Sequence, residues 1–185
     1  MVAAAAPAAT LNYWIQPCSD PESRCRPGDP ELAQWAMAAW QQASEGRLTL
    51  RKSADREDAH IRIFWANANQ GLYGEARPIR VNGVRGAEVY VLPGIVPAGE
   101  TDLLLRDAIV YLTCVHETGH ALGLPHTARF EDIMYSFQYG GDITEYFNRY
   151  RRLLKSREDI PKHAGISADD RQKLIEIISQ PKGNP

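Results

Sequence analysis

The stretch from His116 to His126 constrains this chain more than any other, because it holds three of the five histidines at spacings that one local structure reconciles. In His116-Glu117-Thr118-Gly119-His120 the two histidines stand four apart. Residues i and i+4 share one face of an α-helix at about 5–6 Å, so both imidazoles can meet one ion at the roughly 2.0–2.1 Å typical of zinc–nitrogen bonds. Glu117, one residue along, is angled away from that ion and can reach a water held by it. Gly123 is placed to end the helix in a left-handed conformation that glycine adopts cheaply, and the chain then turns back to bring His126 to the third coordination position. Three protein nitrogens leave the fourth zinc position to water, the arrangement of a catalytic rather than a structural site. Glu117 is expected to be the general base that takes that water's proton and later delivers it to a leaving amine. His60 and His163 have no partner at ligand spacing and read as surface residues.

The remaining composition narrows the class. At 185 residues the chain has the size of one catalytic domain with its own apolar core, and a monomer is expected. A formal charge of -2, from 21 Lys plus Arg against 23 Asp plus Glu, supplies no field to draw in nucleic acid or an anionic membrane. No segment has the apolar length needed to span a bilayer. Basic residues cluster at Arg149, Arg151, Arg152, Lys155 and Arg157, which reads as a solvated helix face. The alanine-rich segment 1–10 lacks the basic and leucine-rich parts of an intact secretory signal and is expected to be a flexible or processing-derived tail before a domain over 11–180.

Hydrophobic periodicity predicts an α+β domain. Strands are expected at Leu11 to Ile15, around Leu48 and Leu50, at His60 to Trp65, near Gly71 to Pro78 and, after Asn82-Gly83, at Gly86 to Leu92. An early helix runs from Glu31 to near Gly46, with Asp29 as its cap and Pro30 in its first turn. A long helix over Asp102 to Leu122 carries the histidine pair. An additional helix is expected at about 142–157, burying Ile143, Phe147, Tyr150, Leu153 and Leu154, and a last one starts at Ser167 with a capping box to Asp170. The expected sheet is twisted and mixed, about five strands, mostly parallel with one antiparallel edge, lying over the early helix and the histidine-bearing helix.

Cys18 and Cys25, seven apart among prolines, are spaced for a small disulfide loop in an oxidising compartment, while Cys114 reads as a buried small hydrophobe.

The run HETGHALGLPH from His116 to His126 resembles the HExxHxxGxxH motif of the metzincin zinc peptidases, and its Leu122-Gly123-Leu124 resembles their matrixin, or matrix metalloproteinase-like, branch. Downstream, Asp132-Ile133-Met134-Tyr135 resembles the family's Met-turn, and Ile166 to Asp170 the start of its C-terminal helix. The resemblance implies a zincin-like fold, one catalytic Zn²⁺ and cleavage of peptide or unfolded protein, and a secreted or extracytoplasmic location is expected with it. It implies that Met134 forms an apolar floor beneath the metal. It also implies a peptide-pairing edge strand over Leu72 to Pro78, with Gly74, Glu75 and Ala76 as substrate contacts, and a specificity wall at Tyr135, Ser136 and Phe137. This chain departs from matrixins after Tyr135, where Ser136-Phe137-Gln138-Tyr139 replaces their proline-containing turn, in the extra helical segment, and in lacking the glycine- and aspartate-rich stretch that holds structural calcium and zinc. Arg24 to Asp29 resembles the cysteine-switch stretch of matrixin propeptides, with Cys25 as its thiolate, although Cys18 offers a competing partner. The rival functions are a zinc-containing peptide-binding protein without catalysis and a zinc hydrolase acting on small-molecule amides or esters.

Overall fold

A period of two in the first half of the chain and of three to four in the second sort it into a sheet and its covering helices. The computed structural model describes residues 8–67, 73–94 and 101–180. The strands are β1 (Ala9–Ile15), β2 (Leu48–Lys52), β3 (Ile61–Trp65), β4 (Gly74–Val81) and β5 (Val84–Val91); the helices are α1 (Asp29–Ala43), α2 (Leu103–Leu122), α3 (Ile143–Arg151) and α4 (Ala168–Ser179). The five strands form one mixed sheet in the order β2-β1-β3-β5-β4. The first four are mutually parallel, and β4 pairs antiparallel with β5 as the edge strand. The fold is thus α+β.

Alternation decides which face is covered. Ile61, Ile63 and Trp65 of β3 and Ala87, Val89 and Val91 of β5 are buried and point toward α1 and α2. On the opposite face Trp14, Phe64 and Tyr90 form a cross-strand aromatic row, with centroids 5.5 and 5.2 Å apart. Trp40 of α1, fully buried, donates its indole N–H to the Val115 carbonyl of α2 at 2.8 Å and so fixes the two helices against each other.

Several element boundaries differ from the sequence expectation for identifiable reasons. β1 begins at Ala9, within the segment read as a tail, because its register with β2 starts at Ala9 opposite Leu48. β4 runs on to Val81 and β5 begins at Val84, because Asn82 (φ 50°) and Gly83 (φ 80°) make a two-residue hairpin turn with both residues left-handed. The expected strand start at Gly71 and Leu72 lies outside the described residues.

Asp29 does not cap α1, whose N-cap is Gly28. Its carboxylate, 1% exposed, instead faces the Arg106 guanidinium of α2, with Nη2 to Oδ2 at 2.7 Å, and accepts the Arg26 backbone N–H at 2.8 Å. Removing one partner of a buried ion pair strands the other charge, at a cost of about 3–5 kcal/mol. Arg106→Ala is therefore expected to lower the unfolding free energy by that amount in a urea titration. A loss below roughly 1 kcal/mol, the range of exposed pairs, would show that the pair does not hold α1 to α2.

The helix expected over 142–157 ends at Arg151. There the Arg151 guanidinium reaches the Leu154 carbonyl at 3.0 Å and pairs with Asp102 at 2.8 Å, which draws the chain out of the helix. A 3-10 turn, Arg157–Lys162, follows, and Leu153 is left 55% exposed rather than in the core. The basic cluster is correspondingly more than a solvated face. Arg157 pairs with Asp107 (3.1 Å) and Glu31 (2.6 Å), donates to the Gly28 carbonyl (2.6 Å) and stacks over Trp35. Single exposed pairs contribute little, but this one side chain joins α1, α2 and the 3-10 turn.

Candidate metal centre

α2 delivers the first two histidines. Asp102 starts the helix by accepting the Leu104 and Leu105 N–H groups at 2.9 and 3.1 Å. Gly123 ends it at φ 103°, with its N–H donating to His120 O and the Leu124 N–H to Gly119 O, both at 2.9 Å. The buried Leu124 secures this reversal, and three residues later the returning chain is tied down by Thr127 N–H to Met134 O at 2.8 Å and Ser136 N–H to Thr127 O at 3.1 Å. These bonds place His126 opposite the histidine pair and lay Met134, fully buried, behind Gly119. The close approach has a steric condition: a Cβ on Gly119 would run into the Met134 sulfur and stand 3.0 Å from Trp40.

The three Nε2 atoms converge. His126 Nε2 stands 3.2 Å from His116 Nε2 and 3.0 Å from His120 Nε2. A tetrahedral ion with nitrogens at about 2.0–2.1 Å sets its ligand atoms about 3.3 Å apart, close to this spacing. The outer nitrogens fix the tautomers of the first two rings. His116 Nδ1–H donates to Ile133 O at 2.6 Å and His120 Nδ1–H to Leu124 O at 2.9 Å, which leaves each Nε2 lone pair aimed inward. Burial holds His116 in its neutral form, pushing it down to about 3 despite the Ile133 bond, and also lowers His120 and His126. Neutral imidazoles with inward lone pairs are the protonation state that a metal needs. The donor set therefore fits a metal ion held by His116, His120 and His126.

Glu117 is 7% exposed on the adjacent helix position. Burial pushes its carboxyl up to about 8, and the Glu75 carboxylate adds to the rise. Both Glu117 and the three histidines line a cavity of about 480 Å³. Gly74, Glu75 and Ala76 at the start of β4 border it on one side, and Tyr135, Ser136 and Phe137 on another. Tyr135 is fixed by its hydroxyl donating to Gly140 O at 2.8 Å, and Ser136 caps the short turn Phe137–Tyr139.

The rest of the lining was not singled out from sequence. Tyr73 packs on Phe147 with centroids 5.0 Å apart, and Ile143, Tyr146 and Phe147 bring α3 up as the apolar back of the cavity, facing Leu112 and Thr113 of α2. Tyr146 also braces the histidine group: its hydroxyl stands 3.0 Å from Asp132 O and 3.2 Å from Ile133 O, the carbonyl that receives His116. Asp170 of α4 accepts the Ile133 N–H at 2.7 Å, so the C-terminal capping box holds the same residue from the other side. The aromatic spacing within Ile143 to Phe147 was the available signal, and its helical period placed it only in a core.

His60 and His163 lie apart from the metal group, as expected, but neither is simply on the surface. Both are partly buried, with His60 Nδ1 accepting the Asn12 N–H at 3.1 Å and the His163 carbonyl accepting the Tyr150 hydroxyl at 2.6 Å. Cys18 and Cys25 are joined as a disulfide, so the Cys25 sulfur is not available as a thiolate, and Cys114 is free and buried. Among the described residues one further group has metal-ligand spacing, Cys18, Cys25 and Asp29, but its sulfurs are bonded to each other and its carboxylate is committed to Arg106. No described helix is long and apolar enough to cross a membrane. No protein-family model matches this chain, and no curated protein matches it.

Proposed function

We propose that this chain is a zinc-dependent endopeptidase of the metzincin type, similar to the matrixin branch. The observation that carries the proposal is the convergence of three Nε2 atoms beside the buried carboxylate of Glu117, in a cavity bordered by a sheet-edge strand. An all-imidazole set of three with a position left open suits zinc, whereas calcium requires oxygen ligands that this group lacks. No structural calcium is part of the proposal.

Zinc held by His116, His120 and His126 would supply Lewis-acid polarisation of a peptide carbonyl and a lowered pKa for water. The protein's own residues do the rest. Glu117, whose carboxyl burial pushes up, would be drawn toward the ionised form beside a dication and could then accept the proton of the attacking water. The protonated carboxyl next delivers that proton to the leaving amine. β4 offers its outer edge to an extended peptide, which would hold the scissile bond along the cavity mouth. The apolar wall of Ile143, Tyr146 and Phe147 receives one substrate side chain.

Two observations favour this over its rivals. A carboxylate beside the three histidines does nothing to hold a metal, so a merely sequestering protein has no use for Glu117. An open sheet edge beside the cavity suits an extended polypeptide better than a small amide or ester. The disulfide favours an oxidising, extracytoplasmic compartment.

Digestion of a mixed unfolded-protein substrate, with every cut read by mass spectrometry, tests the reading. Cuts are expected to share one large apolar residue at a fixed position beside the scissile bond. Cuts with no such preference would remove the role given to the α3 wall, and no cuts at all from zinc-loaded protein would sink the endopeptidase.

A further inference from the structure

The close approach of β4 to α2 shows how the position of Glu117 is fixed. Tyr73 is held by its ring contact with Phe147 and by the Leu92 N–H donating to its carbonyl at 3.0 Å, and the strand next passes Gly74 directly over the helix. A Cβ at Gly74 would stand 2.7 Å from Glu117 Cγ, 2.9 Å from Glu117 Oε1 and 2.8 Å from Thr113 Cγ2. Contacts under 3.0 Å do not persist, so something has to move. Thr113 cannot readily turn away, because its hydroxyl donates to the Ile109 carbonyl at 2.8 Å within a buried stretch of helix. Val91 opposite Gly74 anchors the strand in the sheet. The group left to yield is the Glu117 side chain, which borders the cavity and so has space on that side to move into.

We infer that Gly74 is a positioning residue for Glu117: its missing side chain leaves the slot in which the carboxylate lies between the edge strand and the three histidines. The inference rests on Glu117 being the base. It assigns Gly74 a role beyond substrate contact, since the same residue that meets a docked peptide through its backbone sets where the carboxylate stands. Displacing a reacting group by about 1 Å can cost on the order of 10²-fold in rate.

The test is Gly74→Ala, with and without Thr113→Ser, which removes the one obstructing methyl and keeps the hydroxyl. Zinc content, thermal unfolding, kcat and KM on one peptide substrate, and a crystal structure of each metal-free variant are compared with wild type. Gly74→Ala is expected to keep its fold and zinc, to show the Glu117 carboxylate displaced, and to lose about 10- to 100-fold in kcat with KM changed far less. Adding Thr113→Ser should recover part of the lost kcat. Wild-type kcat in Gly74→Ala, an undisplaced Glu117, a loss carried by KM alone, or loss of zinc or fold would each overturn the positioning role. If wild-type protein cleaves no peptide, the endopeptidase reading fails by itself, and the position of Glu117 in the metal-free Gly74→Ala structure still tests the slot.

Discussion

Glu117→Gln is expected to retain zinc and fold normally while losing about 10²- to 10⁴-fold in peptide hydrolysis, the usual effect of removing a positioned proton-transfer group. Glutamine keeps the size that the slot beneath Gly74 admits and can still hydrogen-bond a water, but it cannot take a proton from it. In the metal-free protein the substitution also removes a carboxyl that burial pushes up to about 8, so stability at neutral pH should there be unchanged or slightly raised. That combination separates catalysis from scaffolding: a structural Glu117 would show reduced unfolding temperature or zinc content. Equal cleavage by both proteins would mean that another group is the base.

His126→Ala should act on the metal itself. His116 and His120 sit one turn apart on a single helix and would approach an ion from one side, so His126, from the returning chain, would be the ligand that closes the set. Its loss is expected to weaken zinc affinity by at least 10²-fold in a competition titration against a coloured chelator, a larger effect than the 10- to 100-fold typical of losing an outer hydrogen-bond partner. The core should survive, because His126 is the exposed member of the trio and its neighbours Leu124 and Met134 are held by backbone bonds that the substitution leaves intact. A variant that binds zinc as tightly as wild type would place the ion elsewhere.

The two predictions draw on the part of the molecule that was most legible in sequence. An i, i+4 histidine pair is a statement about one helical turn, and Gly123 at φ 103° marks its end, so both follow from local geometry. The sheet was legible for a similar reason: alternation along β3 and β5 identifies one covered face, and the Asn82-Gly83 turn identifies the antiparallel edge. The errors arose where a partner distant in sequence outweighed a local preference. Asp29 has the form of a helix cap, but Arg106, 77 residues on, takes its carboxylate into the core. The helix begun at Ile143 was expected to continue to 157, but Asp102 and the Leu154 carbonyl claim Arg151 and end it.

The cavity wall was hidden for the same reason. Tyr73, Leu112 and Phe147 belong to three elements whose meeting depends on how α3 packs against the edge strand, and nothing in their local spacing distinguishes a cavity lining from ordinary core. The residues named from the family resemblance, Gly74 to Ala76 and Tyr135 to Phe137, do border that cavity, but Ile143, Tyr146 and Phe147, which line it too, belong to the extra helical segment. Any substrate preference particular to this protein should therefore be sought in α3.

The most direct measurement strips the purified protein of metal with a strong chelator and titrates zinc back while recording bound zinc and cleavage of an unfolded-protein substrate on the same samples. The account predicts no cleavage by the stripped protein, a single tight site filled at about one zinc per chain, and activity that rises in proportion to its filling. Full cleavage by metal-free protein, or a folded protein that takes up no zinc at the three histidines, would contradict it.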